Sequence, residues 1–303
     1  MSLQREKVHG FRAVALGNFD GVHLGHRRIL ENCVSYAEQS GLEPTVWTFR
    51  CHPQHILLKE KAAGDIVSLE EKTALMKEIG ISAVEVWDFE AVRDFSPEEF
   101  CSSILLENLQ ARAVFCGFNF RFGKNGAGDT AFLRSYLEPR GVKVFVEDPV
   151  CLDGEVVSST RIRRLLTEGK PEQVSRMLGR CYTICFPVKR GKQLGAKLGF
   201  PTINQSFPTQ YVIPKKGVYA VRVHWDGRAY QGICNIGCRH TVDDGEAITA
   251  ETHLLDFSGD LYDRTVAVSF HRFLREEKKF DSLEELRCQI VKDREEAWNG
   301  EKE

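Results

Sequence analysis

The sequence predicts an α/β protein: an N-terminal doubly wound parallel sheet followed by a small antiparallel β-barrel with a C-terminal helix. Three observations predict it. Up to about residue 178, short apolar strands alternate with amphipathic segments of helical period, the pattern of repeated β-α-β units. After Gly179 the segments become short and β-prone, punctuated by Gly, Pro and Asp. A last amphipathic stretch then closes the chain. The expected domains are residues 1–178 and 179–303.

Ala13–Leu16 is the first expected strand, followed by a helix that places Ile29, Leu30, Cys33, Tyr36 and Ala37 on one face and ends at Gly41. Thr45–Phe49 is the second strand. Ser68 and Glu71 form a capping box for a helix ending near Gly80, and Ile81–Trp87 is the third strand. Ser96-Pro97-Glu98-Glu99 opens another helix, with Ser at the cap and Pro in the first turn. Ala113–Cys116, a glycine-rich loop, a helix through Leu133 and Leu137, and Val142–Val146 complete the series. In the second half the expected strands are Tyr182–Val188, Gly217–Val223, Tyr230–Asn235, Thr249–Phe257 and Thr265–Phe273. The final helix starts at Ser282, boxed by Glu285, with Leu283, Leu286 and Ile290 as its buried stripe.

Composition narrows the class. The chain has 303 residues, 42% hydrophobic and 28% charged, with a net charge of −2. Such a balance creates no global field toward nucleic acid or an anionic membrane. No run of about 18 apolar residues is present, and the polar start Met1-Ser2-Leu3-Gln4-Arg5-Glu6-Lys7 is unlike a signal peptide. A cytoplasmic enzyme that is a monomer or weak homo-oligomer, with no nucleic-acid or membrane partner, is expected. The ten cysteines read as free thiols. Cys181/Cys185 and Cys234/Cys238 have spacings compatible with zinc. On strands, however, residues four apart stand about 13 Å from each other, which favours buried small hydrophobes.

The densest motif is Gly17-Asn18-Phe19-Asp20-Gly21-Val22-His23-Leu24-Gly25-His26, between the first strand and first helix. Two histidines three apart at a helix start share a face, and Gly25 leaves the backbone bare. Helix N-termini offer N–H groups and partial positive charge to anions, so the run reads as a triphosphate cradle. Further clusters fall at strand-to-helix connections: Thr48-Phe49-Arg50-Cys51-His52-Pro53, Asn119 through Asp129, and Val157-Ser158-Ser159-Thr160-Arg161-Ile162-Arg163. Together they supply donors and positive charge, as transfer at phosphorus requires.

These residues carry a resemblance. The histidine run with Ser158–Arg163 is similar to the paired signature of the HxGH nucleotidyltransferases. With Phe120-Arg121-Phe122-Gly123 it resembles the adenylyltransferase module of bacterial bifunctional riboflavin kinase/FAD synthetases. The resemblance implies that His23, His26 and Arg163 act on the ATP phosphates. Gly17, Asn18, Phe19, Asp20, Gly25, Asn119, Ser159, Thr160 and Arg161 would complete the nucleotide contacts. The implied reaction transfers AMP from ATP to FMN. Cys51 departs from the family, which usually has Pro there.

In the second half, Gly191 to Asn204 contains Pro201-Thr202-Ile203-Asn204, whose two oxygen-bearing side chains share one face if the segment is extended. Such a pair suits Mg²⁺, and equally an edge strand after a turn. Glu251, among hydrophobic neighbours, fits either an ion pair or a general base. These residues resemble the riboflavin kinase module, as do Lys216-Gly217-Val218-Tyr219, Asn235-Ile236-Gly237, Asp256 to Tyr262, and Leu274 to Leu283. The resemblance implies that Thr202 and Asn204 bind Mg²⁺ with ATP, that Gly191 and Gly195 line the nucleotide site, and that Glu251 activates the ribityl 5′-hydroxyl. Ala196 and His240 depart from the family pattern.

The expected activity is thus two-step flavin-cofactor synthesis: riboflavin to FMN, then FMN to FAD with release of pyrophosphate, with ATP as co-substrate. The rivals are an adenylyltransferase for another phosphorylated acceptor and a non-catalytic flavin-binding protein.

Overall fold

The computed structural model describes residues 10–57, 64–190, 200–241 and 245–298. Its contacts divide the chain into two compact units, Met1–Ser159 and Thr160–Glu303.

The first unit runs β1 (Arg12–Leu16), α1 (Leu24–Ser40), β2 (Glu43–Phe49), α2 (Pro53–Leu57), α3 (Leu69–Ile79), β3 (Ala83–Trp87), α4 (Pro97–Glu99), β4 (Ala111–Gly117), α5 (Thr130–Leu137) and β5 (Lys143–Glu147). A hairpin of β6 (Cys151–Leu152) and β7 (Glu155–Val156) follows. The main sheet has the order β3-β2-β1-β4-β5, with every pair parallel. Strand alternation feeds two cores. Ala13, Ala15, Val46, Ala113 and Phe115 pack with Ile29, Leu30, Cys33 and Ala37 of α1 and Met76 of α3. Val14, Leu16, Trp47, Val114, Cys116 and Val144 pack with Ile104, Leu105, Leu133 and Leu137. Helices therefore cover both faces, as a doubly wound sheet requires.

Local chemistry sets the helix ends where the sequence places them. Ser68 Oγ accepts from Glu71 N at 3.0 Å, and Glu71 returns the bond to Ser68 N at 2.8 Å. Gly41 ends α1 at φ +64°, a left-handed cap that suits glycine. One helix differs. The expected α-helix after Ser96 makes a single turn, α4, and continues over Phe100–Asn108 as a π-helix. Its bond from Leu109 N to Ile104 O, 2.9 Å, spans five residues. The reason lies in the spacing of Phe100, Ile104 and Leu109, alternately four and five apart. Only a wider turn keeps all three against the core.

The second unit begins within α6 (Ser159–Thr167), followed by α7 (Pro171–Leu178), β8 (Tyr182–Pro187), β9 (Thr202–Ser206), β10 (Gly217–Trp225), β11 (Arg228–Thr241), β12 (Gly245–Leu254), β13 (Thr265–Arg275) and α8 (Leu283–Trp298). Six strands form one antiparallel sheet, ordered β8-β13-β10-β11-β12-β9. The two edges meet where Lys189 N donates to Asn204 O at 2.8 Å. Gln205, fully buried on β9, donates to Phe186 O on β8 at 2.7 Å and to Val266 O on β13 at 2.8 Å. That one amide curls the sheet toward a barrel by bridging strands from opposite edges.

Two expectations are corrected here. Leu283 is exposed, and the buried end of the α8 stripe is Asp293 and Ala297. The helix docks by charge: Arg275 holds Asp293 in a two-pronged ion pair at 2.8 and 2.7 Å, and Gln289 adds a bond of 2.9 Å. An apolar stripe search misses a stripe with a carboxylate at its centre. The cysteines also differ from their reading as uniformly buried. Cys234 is buried and Cys185 exposed, because Cys185 lies on an edge strand and faces away from the barrel interior. No helix among the described residues is long and apolar enough to cross a membrane.

Truncating Asp293 leaves Arg275 without its partner in a largely buried setting, a loss of about 3 kcal/mol. Asp293→Ala is expected to lower the urea midpoint of the barrel unit, followed by circular dichroism, with the parallel-sheet unit unaffected.

Candidate active sites

The first candidate site follows from the strand order. β1 pairs with β2 on one side and β4 on the other, so the chain leaves the sheet in opposite directions and opens a crevice at the carboxyl ends of these strands. The histidine run occupies that end of β1, and Asn119 follows β4.

The run folds as a tight turn with three residues in the left-handed region: Phe19 at φ +53°, Gly21 at +81° and Val22 at +41°. A β-branched residue there is strained and needs its surroundings to hold it. Several contacts do so. Val22 N donates to Phe19 O at 3.1 Å, and the Phe19 ring is buried. The Asp20 carboxylate accepts from Ile66 N at 3.0 Å and Val67 N at 3.3 Å. Ser159 Oγ donates to Asp20 O at 2.9 Å. Asp20 thus shapes the loop through backbone bonds.

His23 is the N-cap of α1, its Nδ1 accepting from His26 N at 3.3 Å. The two imidazoles stack, with centroids 3.6 Å apart and an interplanar angle of 16°, and Phe19 meets His26 edge-on at 5.3 Å. A Cβ on Gly25 would lie 3.2 Å from His23 Cε1, so glycine lets the cap ring lie flat on the first turn. That turn contains no acidic residue, and the positive end of the helix dipole is uncompensated by its own side chains. Asn18 Oδ1 is buried with no hydrogen-bond partner among the described residues, which marks an acceptor awaiting a donor.

Asn119 sits in a turn closed by Phe120 N to Gly117 O at 3.0 Å. The space beside Gly117 is bounded by Asn119 Oδ1 and by Ile29 of α1, which places the amide near that helix. Phe122, from the same motif, is a core residue. Gly128 is required because any Cβ there would strike its ring at 2.6 Å. Ser159, Thr160, Arg161 and Arg163 all lie in the first half of α6. Thr160, Arg161 and the buried Arg163 belong to the second unit. Cys51 is exposed.

Lys72 is a residue that sequence reasoning missed. It donates to Asn18 O at 2.9 Å, Thr48 Oγ1 at 3.2 Å and Phe49 O at 3.2 Å. Burial pushes its pKa below the usual lysine range, partly offset by Asp20, Asp65 and Cys51. The available signal was its place on the buried stripe of α3, four residues before Met76.

The second candidate site is a row across β9, β12 and β11. Asn204 pairs with Glu251 and Glu251 with Asn235, while Thr202 pairs with His253. Register and alternation put all five side chains on one face. Asn235 Nδ2 donates to Glu277 Oε1 at 3.2 Å. His253 donates from Nδ1 to Pro201 O at 2.9 Å, and Phe200 meets its ring at 5.3 Å. His253 thereby pins the entry to β9 and orients Thr202. Burial, the largest cause, lowers its pKa below the ordinary 6.5. The hydroxyl and amide oxygens of Thr202 and Asn204 are hard donors that fit Mg²⁺, with the Glu251 carboxylate beside them. Gly191, Gly195 and Ala196 lie outside the described residues, as does the side chain of His240.

The first site can hold and polarise a polyphosphate; the second sets a carboxylate beside oxygen donors, as activation of an alcohol would need. Comparison with known proteins agrees. Residues 5–161 match the family described as FAD synthetase, and residues 178–299 the family described as riboflavin kinase. The chain is 35% identical to a bifunctional riboflavin kinase/FMN adenylyltransferase of Listeria monocytogenes, over 93% of this chain and 90% of that one. It is 39% identical to the protein of that name in Pseudomonas fluorescens, over 92% and 89%. Among solved structures it resembles one described as a macrolide-efflux protein from Streptococcus pneumoniae, with TM-score 0.87 and 27% identity over 97% of this chain and 96% of that one. Both halves and their order are accounted for, and the chain belongs to the bifunctional riboflavin kinase/FMN adenylyltransferase family, converting riboflavin to FMN and FMN to FAD with ATP as co-substrate.

Proposed function

We propose that the two reactions use the two sites separately, adenylyl transfer at the histidine turn and phosphoryl transfer at the Asn204–Glu251–Asn235 row. The observation that supports this most is the His23 cap: an aromatic donor stacked on His26, at a helix start free of acidic side chains, suits a polyphosphate.

In adenylyl transfer an oxygen of the FMN phosphate attacks the α-phosphorus of ATP, and pyrophosphate leaves. The nucleophile is already an anion, so no base is required. His23 and His26, with Arg163, bind the phosphates and stabilise the charge that spreads over them. Asn18, Asn119, Ser159, Thr160 and Arg161 position the nucleotide, and Gly17 and Gly25 admit the backbone to it. Phe19 and Asp20 contribute through the turn they shape.

Riboflavin presents a neutral alcohol. Glu251 takes the proton of the 5′-hydroxyl as its oxygen bonds to the γ-phosphorus, and ADP departs. Thr202 and Asn204 would hold Mg²⁺ with the ATP phosphates, and the ion would supply charge neutralisation; Gly191 and Gly195 are assigned to the same nucleotide. We further place the functional boundary at 178/179, and the protein in the cytoplasm as a monomer or weak homo-oligomer without nucleic-acid partners.

Three outcomes are expected. Glu251→Gln should reduce kinase turnover by about a hundredfold or more, the range of a lost general base, while FMN adenylylation persists; separation of flavins by chromatography reads both. His26→Ala should do the reverse. The third concerns pH. Because the folded barrel holds His253 below its unfolded pKa of about 6.5, the unfolded chain binds more protons once pH falls past that value. The urea midpoint of the barrel unit should therefore drop on acidification below pH 6.5, and His253→Gln should flatten that dependence.

A further inference from the structure

Among the described residues, Lys72 is a lysine that the fold buries, with 6% of its surface exposed. A methionine or leucine would fill the same space on α3 without the cost of desolvating a cation. The side chain instead places its ammonium among three acceptors, matching its three donors: Asn18 O, Thr48 Oγ1 and Phe49 O. Thr48 Oγ1 itself donates to Asn18 O at 3.2 Å, so two donors converge on one carbonyl.

That carbonyl belongs to the peptide linking Asn18 to Phe19, at the start of the left-handed turn. In a trans peptide the N–H points opposite to the C=O. Fixing Asn18 O toward Lys72 therefore turns the Phe19 N–H away from it. The second carbonyl, Phe49 O, ends β2, so one ammonium ties the β1 turn to the neighbouring strand. The titratable groups facing it are Asp20 of the turn, Asp65 before α3 and Cys51 after β2.

We propose that Lys72 is a positioning residue for adenylyl transfer: it locks the Asn18 peptide, and with it the turn carrying His23 and His26, in the orientation that receives the ATP polyphosphate. The inference rests on the assignment of that turn as the nucleotide site. Lys72 touches no reacting atom and acts through the loop.

The test uses the full chain and three variants: Lys72→Met, Lys72→Arg and His26→Ala. Lys72→Met is expected to raise the KM for ATP in FMN adenylylation about tenfold or more, with kcat less affected and kinase constants within twofold of the parent. Lys72→Arg, which keeps charge and donors, should recover part of the loss. In the parent, raising pH toward 10 should weaken ATP use in adenylylation while stabilising the first unit. The unfolded chain binds the lysine proton more tightly than the folded chain, so stability rises with pH as the folded lysine deprotonates; a residue that merely supports the fold would move both readings together. Unchanged KM in Lys72→Met with an inactive His26→Ala overturns the role of Lys72 alone. An active His26→Ala overturns the site assignment beneath it. Parallel loss of both activities in Lys72→Met, or loss of the first unit's thermal transition, makes Lys72 purely structural and also overturns the proposal.

Discussion

Helix α1 is capped by an imidazole, and that single contact constrains the whole carboxyl end of the parallel sheet. Because β1 ends at Leu16 and α1 begins at Leu24 and packs back on the sheet, the chain must turn within seven residues, 17–23, and deliver His23 to the cap position. The reversal forces Phe19 and Val22 into left-handed conformations that neither residue favours. Such a turn persists only if it is held from outside, and each bond holding it comes from a different segment: Ile66 and Val67 before α3, Lys72 on it, and Ser159 at the start of α6. The proposed nucleotide site and the local packing therefore share the same atoms.

The barrel solves a different problem. Its row of Thr202, Asn204, Glu251 and His253 needs no strained turn, because antiparallel register alone brings the side chains together. What must be maintained is the register of an edge strand, β9, with a partner on one side. Gln205 anchors it from the inside and His253, through Pro201 O, from the outside. A one-residue slip would turn Thr202 and Asn204 into the interior and replace them by Ile203.

Much of this was legible in the residues. Capping boxes at Ser68 and Ser96, the glycine stop at Gly41 and the alternation of β1 made the parallel half readable element by element. The histidine run and the Asn119 cluster could be located because both follow the carboxyl ends of strands. Three features were not. The π-helix was hidden because the Ser96 capping box and Pro97 announce an ordinary α-helix start, which the first turn indeed makes. The docking of α8 was misread because its central buried residue is Asp293, whose partner Arg275 is 18 positions away. Lys72 was invisible because a lysine in a charged helix looks solvated until its acceptors, 54, 24 and 23 residues distant, are known. In the last two cases long-range pairing overrode the local pattern.

Two buried cations at opposite ends of the same sheet show how that pairing is divided. Arg12 opens β1 and reaches Glu43 at 3.0 Å and Glu85 at 2.9 Å, so its charge is matched by carboxylates and it clamps three strands together. Lys72, at the carboxyl end, donates to two carbonyls and a hydroxyl, all neutral. The nearest carboxylate of the turn, Asp20, instead accepts backbone N–H groups. Arg12 is thus paired directly with carboxylates, while Lys72 is held by neutral acceptors, with Asp20 and Asp65 acting on it only through space. At the proposed nucleotide site that difference leaves the Lys72 ammonium oriented by backbone carbonyls rather than by a carboxylate, as a positioning role asks. A carboxylate directly on Lys72 would take the donors that now fix the Asn18 and Phe49 carbonyls and would release the turn from β2.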